Sequence, residues 1–221
     1  MIRAEKITKR YQRRGGPVLA LDDVSFGVAE GEFVSIVGPS GCGKSTLLLT
    51  LGCLIRPSEG KVWLNDRSVY DLTHEEAARL RLSTIGFVFQ TFNLVPYLTA
   101  LENVQMPLYL SGLPSVKQRE RAKELLKKVG LGDRLSHKPS ELSVGQQQRV
   151  ALARTLANEP RLILADEPTG NLDPALAEEM LDHLQELHQE GVTVVMVTHD
   201  PRMAERAQRR VLLAEGRLLQ C

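Results

Sequence analysis

Residues 38–46 read GPSGCGKST, and their neighbours on either side decide how that stretch folds. Gly38 and Gly43 stand five apart, followed at once by Lys44 and Ser45, which is the full spacing G-x-x-x-x-G-K-[ST]. Glycines at these positions let the backbone curl so that its N–H groups converge on phosphate oxygens. A lysine there is a point charge for β- and γ-phosphates, and the hydroxyl after it is a magnesium ligand. The mechanism also needs a strand before the loop and a helix after it, whose positive end faces the same anion. FVSIV (33–37) and TLLLTL (46–51) supply them. The expected nucleotide-binding set is therefore Gly38, Pro39, Ser40, Gly41, Cys42, Gly43, Lys44, Ser45 and Thr46. Cys42, next to a helix N-terminus, is expected to have a lowered thiol pKa, so that thiol reagents block the site and nucleotide protects it.

Working outward, VSFGV (24–28) and EFVSIV (32–37) read as strands around a turn at Glu30-Gly31, with a helix over about 44–54. FVFQ (87–90), RLILAD (161–166) and VTVVMV (192–197) are short apolar strands, and VLLAEGRLLQ (211–220) reads as a hairpin. Helices are expected from about 91 to 157. One is capped by Ser115 with Gln118 three residues on, buries positions 122, 125, 126 and 129, and closes at Gly130. Asp173-Pro174 starts another, with Leu176, Met180, Leu184 and Leu187 as its buried stripe. Strands alternating with helices give an α/β protein with a mainly parallel sheet, interrupted by an all-helical insertion.

Chemistry gathers at the carboxyl ends of these strands, where ligands sit in such sheets. LILADE (162–167) ends in Asp166-Glu167: Asp166 is placed to help hold magnesium and Glu167 to deprotonate an attacking water. His199 follows VTVVMV, and Gln90 ends FVFQ, where its amide can ligate magnesium or water.

LSVGQQQR (142–149) opens a second glycine-bearing helix, with Ser143 as N-cap and Gln146 reaching back to it. Gly145 lies in the first turn, where glycine costs about 1 kcal/mol relative to alanine. Its expected purpose is to bare the helix N–H groups for an anion. The loop at 38–46 already holds this chain's nucleotide, so the second anion site calls for a phosphate on another copy of the chain.

The bulk composition sets outer limits. With 28 Lys and Arg against 27 Asp and Glu, the net charge of +1 offers no electrostatic case for nucleic acid. Three cysteines, Cys42, Cys53 and Cys221, lack metal-type spacing and suggest a reducing compartment. No secretory signal or membrane span is expected, so a membrane role has to come through a partner.

Taken in order, GPSGCGKST, Gln90, LSVGQQQR, LILADE, NLD (171–173) and His199 resemble the ATPase subunit of ATP-binding-cassette (ABC) transporters over essentially the whole chain. The resemblance implies a P-loop NTPase (RecA-like) core with an N-terminal antiparallel β subdomain (together 1–90 and 158–221) and an inserted all-helical signature subdomain (91–157). EPTGNLD (167–173) and FVFQTFNLVPYLTALENVQMPL (87–108) look most like the MacB/LolD/FtsE branch. Export or lipoprotein release is thus implied, with an amino-acid importer subunit or a cell-division ATPase as alternatives. It further implies ATP as substrate and magnesium held by Ser45, Gln90 and Asp166. Lys44, Gln90, Glu167 and His199 become the catalytic group, with Tyr11 stacked on adenine. Ser143, Gly145, Gln146 and Asp173 reach the nucleotide of a second copy in a homodimer. A membrane permease would hold the protein, cytoplasmic, at the inner face of the membrane, its coupling helix received by a groove along Phe92–Leu101. Val144 departs from the glycine usual in the signature.

Overall fold

The computed structural model describes residues 1–219, the side chain of Arg13 excepted. Two long strands, β1 (Ile2–Arg13) and β2 (Gly16–Val28), pair as an antiparallel hairpin. β3 (Phe33–Val37) leaves that sheet, while β4 (Glu59–Leu64) and β5 (Arg67–Ser68) return to it, giving the order β2-β1-β4-β5. VSFGV and EFVSIV, read together from sequence, therefore belong to different sheets and do not pair.

The second sheet holds β3, β6 (Ile85–Phe89), β7 (Leu162–Asp166), β8 (Thr193–Thr198), β9 (Arg209–Ala214) and β10 (Arg217–Leu219), in the order β10-β9-β3-β8-β7-β6. Its strands are parallel except β10, which forms the expected hairpin with β9. The last hairpin position read from sequence, Gln220, and Cys221 lie outside the described residues. Strand alternation sends Leu162 and Leu164 to one face and Ile163 and Ala165 to the other. On the first face they meet α1 (Lys44–Leu51), whose Leu47, Leu48 and Leu51 are fully buried between the two sheets. On the second they meet Ala177, Met180, Leu181 and Leu184 of α6 (Pro174–Gln189). Each such leucine contributes about 1.5–3 kcal/mol of burial, so both faces of the sheet are anchored. α1 stops at Leu51, short of the expected 54, with Gly52 as its C-cap, and a Cβ on Gly52 would strike the Phe87 ring at 2.4 Å.

α2 (His74–Thr84), capped by a reciprocal Thr73–Glu76 box, precedes β6 and was not expected. Beyond Gln90 the chain stays non-helical until α3 (Ala100–Gln105). Fully buried Asn103 explains this: it accepts the Val95 N–H and donates to the carbonyls of Val95, Leu98 and Thr99. α3, α4 (Ser115–Lys128) and α5 (Val144–Thr155) share a separate apolar cluster built on Leu101, Val104, Leu126 and Val150. Pro114, not Ser115, is the N-cap of α4, and Gln118 donates instead to the Leu113 carbonyl. A fixed-φ proline before the first turn pre-sets the helix without a side-chain cap. A short helix, α7 (Pro201–Ala204), leads into β9.

Candidate functional site

Strand register brings the chemistry to one edge. Asp166 pairs with Phe89 of β6 and with Val197 of β8, while Val37 pairs with Thr198. The loop after β3, Gln90 after β6, Glu167 after β7 and His199 after β8 therefore emerge side by side at the carboxyl end of the sheet.

The loop is wedged in place by its glycines. A Cβ on Gly43 (φ 109°) would lie 2.3 Å from the Ala20 carbonyl oxygen, and one on Gly38 would lie 2.1 Å from that of Leu213. The buried Lys44 ammonium sits within the curl, donating to the carbonyls of Gly38 (2.8 Å) and Pro39 (3.1 Å) and lying 3.7 Å from Glu167 Oε1. Ser45 Oγ donates to Asp166 Oδ1 at 2.9 Å. Burial pushes the Asp166 carboxyl above the usual aspartate value; the Ser45 bond opposes that shift, the Glu167 charge adds to it and the Lys44 charge opposes it. A hydroxyl and a carboxylate oxygen this close, beside the exposed Gln90 amide, are the hard oxygen ligands that suit magnesium.

Glu167 adopts the left-handed backbone region (φ 47°), a conformation that costs a non-glycine residue on the order of 1–3 kcal/mol. Its N–H donates to the Val197 carbonyl, and its Oε2 lies 2.8 Å from His199 Nδ1 and accepts the His199 N–H at 3.3 Å. The strained turn thus aims a mostly buried carboxylate (15% exposed) at both Lys44 and His199.

Gln90 and Asn171 hold each other reciprocally. The Gln90 amide donates to Asn171 Oδ1 (3.4 Å), and the Asn171 amide donates to the Gln90 carbonyl (3.2 Å). Gly170 permits this approach, since a Cβ there would fall 2.7 Å from Gln90 Nε2. Sequence reasoning gave Asn171 no role of its own; its place in NLD was the available signal. Tyr11 lies half-buried on β1 opposite Val18, two residues before the Ala20 carbonyl that abuts Gly43, with the Lys9 ammonium 5.1 Å from its ring.

The LSVGQQQR stretch stands apart from this edge. Ser143 and Gln146 form the expected capping box, and Asp173 caps α6 by accepting the N–H groups of Ala175 and Leu176. Every one of these bonds closes on its own helix, and none reaches 38–46. The reason for Gly145 needs correcting. It is buried, and a Cβ there would meet Leu176 Cδ2 at 2.7 Å, so packing against α6 demands the missing side chain.

One other expectation also changes. The Cys42 thiol points into the apolar cluster with Leu47 and Leu213, shielded from reagents rather than facing a nucleotide. Only the Cys42 backbone serves the loop, its carbonyl accepting the Gly216 N–H. A groove of about 360 Å³ opens beside the Gln90 loop, lined by Leu82, Phe87, Phe89, Met106, Pro107 and Arg154 among others. The Phe92 and Asn93 end of Phe92–Leu101 adjoins this lining, because Arg154 donates to their carbonyls from the groove wall.

The chain's residues 21–170 match the family model described as ABC transporter. It is 54% identical, over 96% of its length, to an uncharacterized ABC transporter ATP-binding protein of Thermotoga maritima, covering 91% of that protein. It is 48% identical over 99% of its length to the macrolide export ATP-binding/permease protein MacB 1/2 of Paracoccus denitrificans, but spans only 33% of that longer protein. The fold superposes with a TM-score of 0.91 on the dimeric post-hydrolysis structure of the ATP-binding cassette MJ0796 of Methanocaldococcus jannaschii, bound to ADP and Pi. That likeness, at 45% identity, covers 100% of this chain and 97% of the other. Sequence agreement from Leu21 to Gly170 takes in the phosphate loop, Gln90, the capped helix start and the carboxylate pair alike, so the chain belongs to the ABC transporter family and is an ATPase that forms its ATP-binding part.

Proposed function

We propose that two copies of this chain pair head to tail and hydrolyse ATP at sites each builds from both, driving a membrane permease of the MacB or lipoprotein-release kind. One observation carries the reading: the capped start of α5 is a prepared helix N-terminus whose side-chain bonds all close locally, remote from its own chain's loop. A phosphate held by a second copy's Lys44 is the ligand that fits, with Ser143, Gln146 and Asp173 presented to it in trans and the buried Gly145 offering only its backbone N–H.

On this reading Lys44 exchanges the carbonyls of Gly38 and Pro39 for β- and γ-phosphate oxygens, and the backbone N–H groups of 40–46 receive the rest. Glu167 takes the proton of the attacking water, and His199 orients its carboxylate and meets the γ-phosphate. Tyr11 stacks on the adenine. Ser45, Asp166 and Gln90 would hold magnesium, which when bound neutralises phosphate charge. Residues 1–90 with 158–221 form the nucleotide-holding body, and 91–157 the helical one. No helix among the described residues is long and apolar enough to cross a membrane. The strongly exposed apolar side chains of the helical part, Tyr97 (74%) and Leu110 (80%) with Tyr109 and Val116, support docking on a permease at the inner face.

Mixing two inactive variants tests the shared site. Ser143→Arg should bind ATP yet not hydrolyse it, and Glu167→Gln should do the same for a different reason. Combined, they form pairs with one intact composite site, and hydrolysis should return. Wild-type turnover by Ser143→Arg alone, or mixed pairs that stay silent, would break the reading.

A further inference from the structure

α5 carries two arginines that the catalytic reading leaves unused: Arg149 faces the Glu179 carboxylate at 3.9 Å, and Arg154, among the described residues, faces no carboxylate. It stands near the end of a 12-residue helix whose N-cap is Ser143, about 16 Å away along the axis. Its Nη1 donates to the Asn93 carbonyl and its Nη2 to the Phe92 carbonyl, both at 2.7 Å. Among the described residues it makes no ion pair, so the guanidinium serves these two backbone oxygens alone. Burial holds its pKa below the ordinary arginine value. A charge kept there without a carboxylate is retained for geometry, because a planar fork grips two successive carbonyls as no point charge can.

Those two residues follow Gln90 almost at once, and from Gln90 a closed circuit of contacts runs back to Arg154. Gln90 and Asn171 exchange amide bonds. Asn171 leads through Leu172 to Asp173, which caps α6. Leu176 in the first turn of α6 packs against Gly145, and its carbonyl accepts the Gln148 amide at 3.5 Å. Gln148 Oε1 is buried without a partner, so this joint is held more by packing than by hydrogen bonds. The helix α5 then returns the path to Arg154, with Thr155 donating to the Phe87 carbonyl beside it.

We infer that Arg154 is a positioning residue for the shared ATP site, tying the loop after Gln90 to the helix that presents Ser143 to the partner's phosphate. This rests on the reading of Ser143 as a trans ligand. Arg154 touches no nucleotide itself; it makes the Gln90 loop, the 171–173 segment and the start of α5 move as one piece.

The test uses the full chain carrying Glu167→Gln, with MgATP as the ligand, and adds Arg154→Met or Arg154→Lys. Met keeps the apolar stem, while Lys keeps the charge without the fork. Binding of a fluorescent ATP analogue to the monomer should stay within about twofold. The protein concentration for half-maximal pairing, read by light scattering, should rise about tenfold or more with Met and only about threefold with Lys. In the Glu167-intact background, kcat should fall while KM for ATP holds. At protein concentrations below those for pairing, hydrogen exchange should show ATP protecting residues 142–149 of the parent monomer through the Gln90–Asn171 path and not those of Arg154→Met. If Glu167→Gln alone fails to pair with ATP, the shared-site reading falls, and hydrogen exchange in the monomer still decides the Arg154 link. Unchanged protection of 142–149, or ATP affinity and thermal stability falling together with pairing, would overturn the inference.

Discussion

His199 Nδ1 lies 2.8 Å from Glu167 Oε2, and the same oxygen accepts the His199 backbone N–H at 3.3 Å. The histidine therefore grips the carboxylate from ring and backbone together, while Lys44 approaches the other oxygen at 3.7 Å. Replacing His199 with alanine leaves the backbone bond and removes the ring contact. Steady-state phosphate release should drop about 10²-fold, with nucleotide affinity nearly unchanged. Retained turnover would reduce the pair to a surface contact.

Glu167→Gln preserves shape and the hydrogen-bonded turn but cannot accept a proton. The loss of a positioned general base predicts a kcat about 10²–10⁴-fold lower, with ATP still bound. Radiolabelled ATP should remain unhydrolysed on the purified protein, and full activity would remove Glu167 as the base.

Asp166 predicts a pH signature. Its folded-state carboxyl is raised above the usual value of 3.8, chiefly by burial, so the folded protein binds that proton more tightly than the unfolded chain. The associated stability is complete below pH 3.8 and is lost as pH rises through the folded value. Asp166→Asn keeps an oxygen for Ser45 and has no proton to release. Its Tm should exceed wild type at pH 7, with the gap closing as pH falls toward 4, while hydrolysis is lost. A pH-independent gap would show that burial of this charge is not the cause.

Gly43→Ala tests the wedge. The new Cβ would meet the Ala20 carbonyl oxygen at 2.3 Å, at a backbone φ of 109° that alanine rarely adopts. Strain and overlap together should cost about 3 kcal/mol, which for a chain of this size is a Tm drop of about 6–12 °C. Calorimetry on the nucleotide-free protein reads it directly, and an unshifted Tm would mean that the hairpin yields freely.

Much of this molecule is written locally. Gly38 to Ser45 between an apolar strand and an apolar helix can do little but cradle phosphate, and Ser143 with Gln146 caps a helix by bonds spanning three residues. Such features depend on neighbours in the chain, so spacing alone reveals them, as does the position of Asp166-Glu167 and His199 at strand ends. The tertiary structure decided what depends on distant partners. The Cys42 thiol turns inward, because a loop residue's direction is settled by the apolar cluster that the two sheets and α1 assemble around it. Gly145 owes its missing side chain to Leu176, thirty-one residues away in sequence. The Asn171 grip on Gln90 and the Arg154 grip on Phe92 and Asn93 are likewise bonds across 60 residues or more. Periodicity carries no record of such contacts, because they form only when strand register and helix packing bring separate segments to one place.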